Sequence, residues 1–240
     1  MLAVNLEELS LAHPIDSDEP EMESNQHLVQ MILLINSLKR YWRDRQDFFV
    51  AGNLSIYYSH RQLKSEDWRG PDFFVVLDTA PNPLRRSWVV WQEGGKYPNV
   101  IVELLSPSTA HIDRGTKKLI YQNIFRTPEY FLFDPINAVL EGFALHNGSY
   151  IPMAPNAQGR LWSEQLQLYL GVLDLPLPQL RFFAPDGELV PTPEEAEQKE
   201  RQLRKSAETR IQQEQELRRS AEAKIAELEA EIERLAGEHG

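Results

Sequence analysis

Apolar and polar positions alternate along this chain with two different periods. Between residues 24 and 44, Leu28, Met31, Ile32, Ile35, Leu38 and Trp42 recur at helical spacing, and Ser24 stands where an N-cap would. The spacing predicts an amphipathic helix that lays this face on a sheet. Short apolar runs divided by polar or turn residues follow at 48–50, 54–58, 73–77, 88–91 and 100–105, and these read as strands. Helical period returns over 114–125 through Leu119, Ile120 and Ile124, with Asp113 placed to cap it, and 129–133 reads as a further strand. The runs 139–145 and 149–153 flank Asn147-Gly148, a pair that accepts positive φ at both positions, and predict a hairpin. A helix, several strands, a crossover helix and more strands predict one α/β or α+β domain over residues 21–193, preceded by an N-terminal arm of residues 1–20.

The pattern changes after Pro193. Residues 194–240 hold nine Lys or Arg and thirteen Asp or Glu, with no aromatic residue and no Pro, and predict a long solvated helix. Ile225, Leu228, Ile232 and Leu235 follow a 3-4-3 spacing that would form a coiled-coil seam and could join copies of the chain as a homo-oligomer. Extended backward, the same register puts Arg218 and Glu214 on the seam, so a single charged helix is the competing reading.

Composition removes several functional classes. The absence of Cys among 240 residues excludes a disulfide framework, thiolate metal sites and a Cys nucleophile, and suits a reducing compartment. No run of eighteen apolar residues could span a bilayer. The first twenty residues place Asp16, Asp18 and Glu19 where a secretory leader would carry its basic and apolar parts, so a cytoplasmic location is expected. The net charge of −11 opposes bulk attraction to nucleic acid, and any such role must use a local patch.

Candidate chemistry gathers around two carboxylates. Asp72 follows Pro71 at the start of the 73–77 run, and Glu103 lies inside Val-Ile-Val-Glu-Leu-Leu, where a carboxylate is costly to bury without a partner. Asp113, Lys117 and Tyr121 follow at four-residue steps and share a helix face, while Lys118 lies on another. Two carboxylates from strands and a Lys from the next helix suit a hard divalent cation beside a fixed positive charge. Taken singly, the same residues have simpler readings: a strand-entry Asp72, a helix-capping Asp113, a core Tyr121 and a structural Glu103–Lys117 ion pair.

In order along the chain, Pro71-Asp72-Phe-Phe-Val-Val, Val102-Glu103-Leu-Leu-Ser106-Pro-Ser108-Thr109, Asp113-Arg-Gly-Thr-Lys117-Lys-Leu-Ile-Tyr121 and Pro128-Glu129-Tyr130-Phe-Leu-Phe-Asp134-Pro135 resemble the successive motifs of the Uma-type putative restriction endonuclease family, within the PD-(D/E)XK nuclease superfamily. The resemblance spans roughly residues 20–195. It implies a restriction-endonuclease-like mixed sheet flanked by helices, and a Mg²⁺- or Mn²⁺-dependent endonuclease acting on DNA. Asp72, Glu103 and Lys117 would be catalytic, with Asp72, Glu103 and the backbone carbonyl of Leu104 as metal ligands. Asp113, Tyr121 and His27 are support candidates, although His27 reads more simply as a partly buried, hydrogen-bonded helix residue. The superfamily pattern would place a Lys two residues after Glu103, where this chain has Leu105, so Lys117 is the replacement that the resemblance suggests. Cationic handles for DNA would come from Arg61, Lys64, Arg69, Arg85, Arg86, Lys96, Arg114, Lys118 and Arg126, and the aromatic 88–91 run would either stack on bases or belong to the core. The rival class is a catalytically silent scaffold that keeps the fold and assembles partners through its C-terminal helix.

Overall fold

In the computed structural model, the fold is described for residues 24–59, 70–174 and 176–237, leaving aside the side chains of 231–233 and 235–237. The elements in chain order are α1 (Asn25–Tyr41), β1 (Phe48–Ala51), β2 (Ile56–Tyr57), β3 (Phe73–Leu77), β4 (Trp88–Val89), β5 (Val100–Leu104), α2 (residues 110–125), β6 (Glu129–Asp134), β7 (Val139–His146), β8 (Ser149–Pro152), β9 (Leu161–Ser163), β10 (Leu168–Asp174), β11 (Pro178–Phe183) and α3 (Pro193–Gly237). The expected N-terminal arm lies outside the described residues. Helices and a mixed sheet make this an α+β chain, and none of its described helices is long and apolar enough to cross a membrane.

Six strands form the main sheet in the order β1-β3-β5-β6-β7-β8. Only β5 and β6 run parallel; the other neighbours are antiparallel. A parallel pair cannot be joined by a tight turn, and α2 supplies the crossover. The β7–β8 hairpin turns through Asn147 and Gly148 at φ 49° and 84°, the left-handed pair that a two-residue connection requires. A second, antiparallel sheet, β11-β10-β9, and the short parallel pair β2-β4 complete the strands.

Side-chain alternation assigns the two faces of the main sheet. Phe73, Val75, Val100, Val102, Leu104, Phe131 and Phe133 join Met31, Leu34 and Leu38 of α1, Trp42 just after it, and the inner residues of β10 and β11 in one core. Phe74, Val76, Ile101, Tyr130 and Leu132 face the other way, toward Trp88, Tyr121 and Phe125. Burial on both faces explains why β3, β5 and β6 read as nearly unbroken apolar runs.

Both helices turn their faces differently from the simple apolar count. In α1 the buried residues are His27, Gln30, Met31, Leu34, Ser37 and Leu38, whereas Leu28 and Ile32 are exposed. The reason is Gln30, whose side-chain amide donates to the Leu180 carbonyl and accepts from the Leu180 N–H, at 2.9 and 3.0 Å. Its polar groups are thus satisfied against strand β11, so a Gln fills a core position. Ser24 does cap α1, accepting from the His27 N–H at 3.2 Å. In α2, Leu119 and Ile124 are exposed while Tyr121 and Phe125 are buried. This helix begins at Ala110, so Asp113 lies inside it and is not its cap.

Helix α3 runs for 45 residues and belongs to a unit, residues 193–240, separate from residues 1–192. At 1.5 Å per residue it is roughly 68 Å long. Pro193 opens it, where a missing N–H costs nothing, and Glu194 and Glu195 complement the dipole of the first turn. Pairs such as Arg201–Glu197, Arg204–Glu208 and Arg218–Glu222 lie along its exposed surface.

A buried carboxylate joins the two sheets. Glu129, at the start of β6, accepts from the Ser163 hydroxyl and from the backbone N–H groups of Glu164 and Gln165, the last two at 2.7 and 3.2 Å. Glu129→Ala is expected to leave these donors unsatisfied and to lower unfolding free energy by about 2–4 kcal/mol in denaturant titrations. A loss below about 0.5 kcal/mol would show that water replaces the carboxylate without cost.

Candidate active site

Strand register sets the first two residues of the site. Phe73 of β3 lies opposite Val102 of β5, so one step further along the antiparallel pair Asp72 comes to face Glu103. Each strand's backbone then holds the other's carboxylate. The Leu104 N–H donates to Asp72 Oδ2 at 2.7 Å, and the Asp72 N–H donates to Glu103 Oε2 at 3.3 Å. Asp72 is also fixed from behind: the Asn53 N–H donates to the Pro71 carbonyl at 3.1 Å, and a Cβ at Gly52 would collide with the Asp72 carbonyl oxygen and the Met31 side chain. Gly52 is therefore required by close backbone approach, a role its place at a strand end hardly signals.

Glu103 occupies the alternate position to Val102 and Leu104, which turns it toward α2. Lys117 Nζ lies 3.1 Å from Glu103 Oε2 and 3.0 Å from Asp113 Oδ1, and the Tyr121 hydroxyl donates to Glu103 Oε1 at 2.8 Å. The Tyr130 hydroxyl donates to the Asp113 carbonyl at 3.0 Å and ties the helix to β6. Four-residue steps in an α-helix drift by about 40° each, so Asp113, Lys117, Tyr121 and Phe125 would wander off one face. Here Asp113–Lys117 and Tyr121–Phe125 are wide π-helical turns, separated by the α-helical Lys118–Ile120. The wider turns reverse the drift and keep the row aimed at the sheet.

Burial dominates the electrostatics. It pushes the Glu103 carboxyl up to about 7, against the opposing pull of Lys117, with the Asp72 charge adding to the rise. Asp113 is raised to about 6 by burial and by Glu103, and Asp72 is raised by burial despite Lys117. Burial alone would lower Lys117, but the Glu103, Asp113 and Asp72 carboxyls outweigh it and raise its pKa, so it stays an ammonium. Tyr121 is held neutral, first by burial and then by Glu103. Three carboxyls against one ammonium leave an excess of negative charge in a poorly hydrated place, and their oxygens are the hard donors that a divalent cation prefers. Among the described residues no three His, Asp or Glu side chains form a ready-made cage.

The remaining candidates lie elsewhere. Lys118 turns away, its ammonium 3.3 Å from the centre of the Phe143 ring. Leu105, in the position of the superfamily Lys, is buried with Tyr121 and Phe125. His27, on α1, lines a cleft with Leu105 and Ser106 and does not meet the carboxylates; its ring has no hydrogen-bond partner among the described residues. Arg85 is buried against Glu93 and stacks over Phe49 and Trp88, and Trp88 is wholly buried, so these serve the core and not a nucleic-acid surface. Lys96 is engaged with the Asp78 carbonyl and Arg114 with Glu141. Arg61, Lys64 and Arg69 lie outside the described residues.

A mixed sheet carrying an acidic pair at the junction of two strands, faced by a Lys from the crossover helix, is the setting in which the family relationship appears. The chain belongs to the Uma2 family, described as putative restriction endonuclease, whose model matches residues 18–178, and it is nuclease-like on that ground. Among solved structures, the crystal structure at 1.96 Å of a putative nuclease belonging to DUF820 from Anabaena variabilis ATCC 29413 is similar to it with a TM-score of 0.45 and 12% identity, covering 68% of this chain and 91% of that one. No curated protein matches the chain.

The raised carboxyl groups bind protons more tightly when folded than when unfolded. Their contribution to stability is therefore fully present below their ordinary values of 3.8 and 4.5, and it is lost as pH rises through about 6 and about 7. Chelator-treated protein should melt at progressively lower temperature between pH 5 and 7.5, in the range roughly set by those values. Glu103→Gln should flatten that slope in calorimetry, and equal slopes in the two proteins would contradict the assignment.

Proposed function

We propose that the chain is a Mg²⁺- or Mn²⁺-dependent endonuclease that hydrolyses phosphodiester bonds of DNA at Asp72, Glu103 and Lys117. The observation that supports this reading best is the reciprocal clasp of Asp72 and Glu103 across two strands with Lys117 against them. A purely structural ion pair needs one acid and one base. Here the surplus carboxyls are held close together at a cost in burial that a divalent cation would relieve. Asp72 and Glu103 would hold the ion, with the Leu104 carbonyl as a backbone donor. When bound, it supplies Lewis acidity toward a phosphoryl oxygen.

The chain's own groups do the rest. The Leu104 N–H fixes the Asp72 carboxylate, and the Tyr121 hydroxyl fixes that of Glu103, so neither must reorganise during the reaction. Lys117 keeps its proton in this acidic surrounding and so cannot be a general base. It acts as a fixed cation that orients the attacking water and offsets charge as it builds on the phosphate. A net charge of −11 makes long-range capture of DNA weak, which places the burden of binding on the site itself.

Plasmid nicking with Mg²⁺ or Mn²⁺ tests the reading. Asp72→Ala and Lys117→Ala should each reduce cleavage by roughly a hundredfold or more, whereas Lys118→Ala should leave the turnover rate near wild type. Cleavage by Asp72→Ala at the wild-type rate would end the proposal.

The rival reading, a catalytically silent scaffold that assembles partners through α3, is supported by the apolar Ile225 and Leu228 that stand exposed on it. Sedimentation of the full chain and of a version ending at Thr192 should show a folded monomer for the short form and a self-associated full chain if the seam joins copies. Equal association states would show that it does not.

A further inference from the structure

A second feature begins two residues after Glu103, at Leu105. The residues that follow β5 (Leu105 and Ser106 to Ser108), those that follow β6 (Pro135 and Ile136) and the start of α1 enclose a cleft of about 580 Å³. Clefts of this size accept a small organic ligand, and the carboxyl ends of parallel strands are where open sheets bind one. Its chemistry is unlike that of its neighbour. In a chain of net charge −11, the described lining contains no Asp or Glu. Asp134, beside it in sequence, is turned into its own loop, where it accepts from the Ile136 and Asn137 N–H groups and the Asn137 amide.

Each polar side chain of the lining can donate a hydrogen bond, and none carries a negative charge. Helix α1 is 17 residues long, and its dipole places partial positive charge at the cleft. Ser24 satisfies the His27 N–H, while the Asn25 and Gln26 N–H groups have no acceptor among the described residues. His27 is only 7% exposed and lines the cleft, yet its imidazole has no hydrogen-bond partner there. Its nitrogens are not sealed from solvent, so they open onto the cleft that the ring lines, where a ligand can meet them. Opposite it, Ser106 joins Ser108 and Thr109 in a hydroxyl chain with contacts of 2.8 and 2.9 Å, which holds its oxygen in place.

We infer that this cleft is a nucleotide subsite that takes one phosphate-bearing nucleotide of the substrate strand next to the acidic pair. The phosphate sits on the first turn of α1, met by His27, Ser24 and Ser106. The sugar lies on Pro107, Pro135 and Ile136. The choice of a nucleotide rests on the nuclease reading, but occupancy of the cleft requires neither the cation nor the carboxylates. The subsite would add a directional grip on the strand in a protein whose overall charge repels it.

The test is an NMR titration of the full chain with 2′-deoxyadenosine 5′-monophosphate in EDTA, following the His27 imidazole resonances, with 2′-deoxyadenosine alongside. The monophosphate should shift them and bind about tenfold or more tightly than the nucleoside, since a phosphate on a helix N-terminus and a buried donor is the main contact. His27→Ala should weaken binding by about tenfold. Ile136→Glu is a safer variant for folding because Ile136 is 66% exposed, and the carboxylate it introduces should repel the phosphate to a similar extent. Asp72→Ala should keep the wild-type affinity. Absence of monophosphate binding, or binding that both cleft variants retain, overturns the subsite. Nicking by a protein that fails this titration would sink the subsite alone, whereas monophosphate binding by a protein that never nicks would support the subsite and sink the nuclease reading.

Discussion

Glu103 is wholly buried inside its strand, and much of the surrounding structure answers that burial. An ionised carboxylate taken out of water costs several kcal/mol unless its oxygens find strong partners. Three groups from two parts of the chain supply them: the Asp72 N–H beside the neighbouring strand, and the Tyr121 hydroxyl and Lys117 ammonium of the crossover helix. Loosening any one changes the others, because Lys117 also balances Asp113 and Tyr130 anchors the helix segment that carries them. The arrangement is an electrostatic compromise: enough positive charge to fold, too little to neutralise the acids.

That compromise separates this carboxylate from Glu129, which is buried away from the acidic cluster. Glu129 is saturated by a hydroxyl and two backbone N–H groups, with no cation needed, and its work is to clamp the small sheet to the large one. Both carboxyls are raised by burial. Only Glu103 shares its surroundings with two other acids. A perturbed carboxylate alone does not distinguish chemistry from architecture, and these two differ in the company they keep.

Much of the fold was legible because β3, β5 and β6 are apolar on both faces and Asn147-Gly148 permits only a tight hairpin. Period-two alternation also sends Glu103 to the face opposite Val102 and Leu104. The helix faces were harder. Gln30 fills a core slot by imitating a strand edge, and apolar counting assigned its place to Leu28 and Ile32, which are exposed. Gly52 carries no signal until the backbone of Asp72 is known to pass against it. The four-residue row from Asp113 through Lys117 to Tyr121 was visible in the sequence, but ideal α-helical geometry gives no reason for it to stay on one face, and Phe125 as its next member was not read there. The small sheet, β9 to β11, lies in a stretch of short, weakly patterned strands.

The two wide turns of α2 have a consequence for how this site can change over time. A π-turn is equivalent to one residue inserted into an α-helix and absorbed locally, so the elements on either side need not move. Removing a residue such as Gly115 would let the first wide turn relax to ordinary pitch while the elements on either side keep their places. Asp113 and Lys117 would then stand three residues apart, still neighbours on one face, and Tyr121 would stay on Glu103. The wide turn is thus a built-in slack: a single-codon loss at this point of the helix can be absorbed without withdrawing the side chains that reach the sheet.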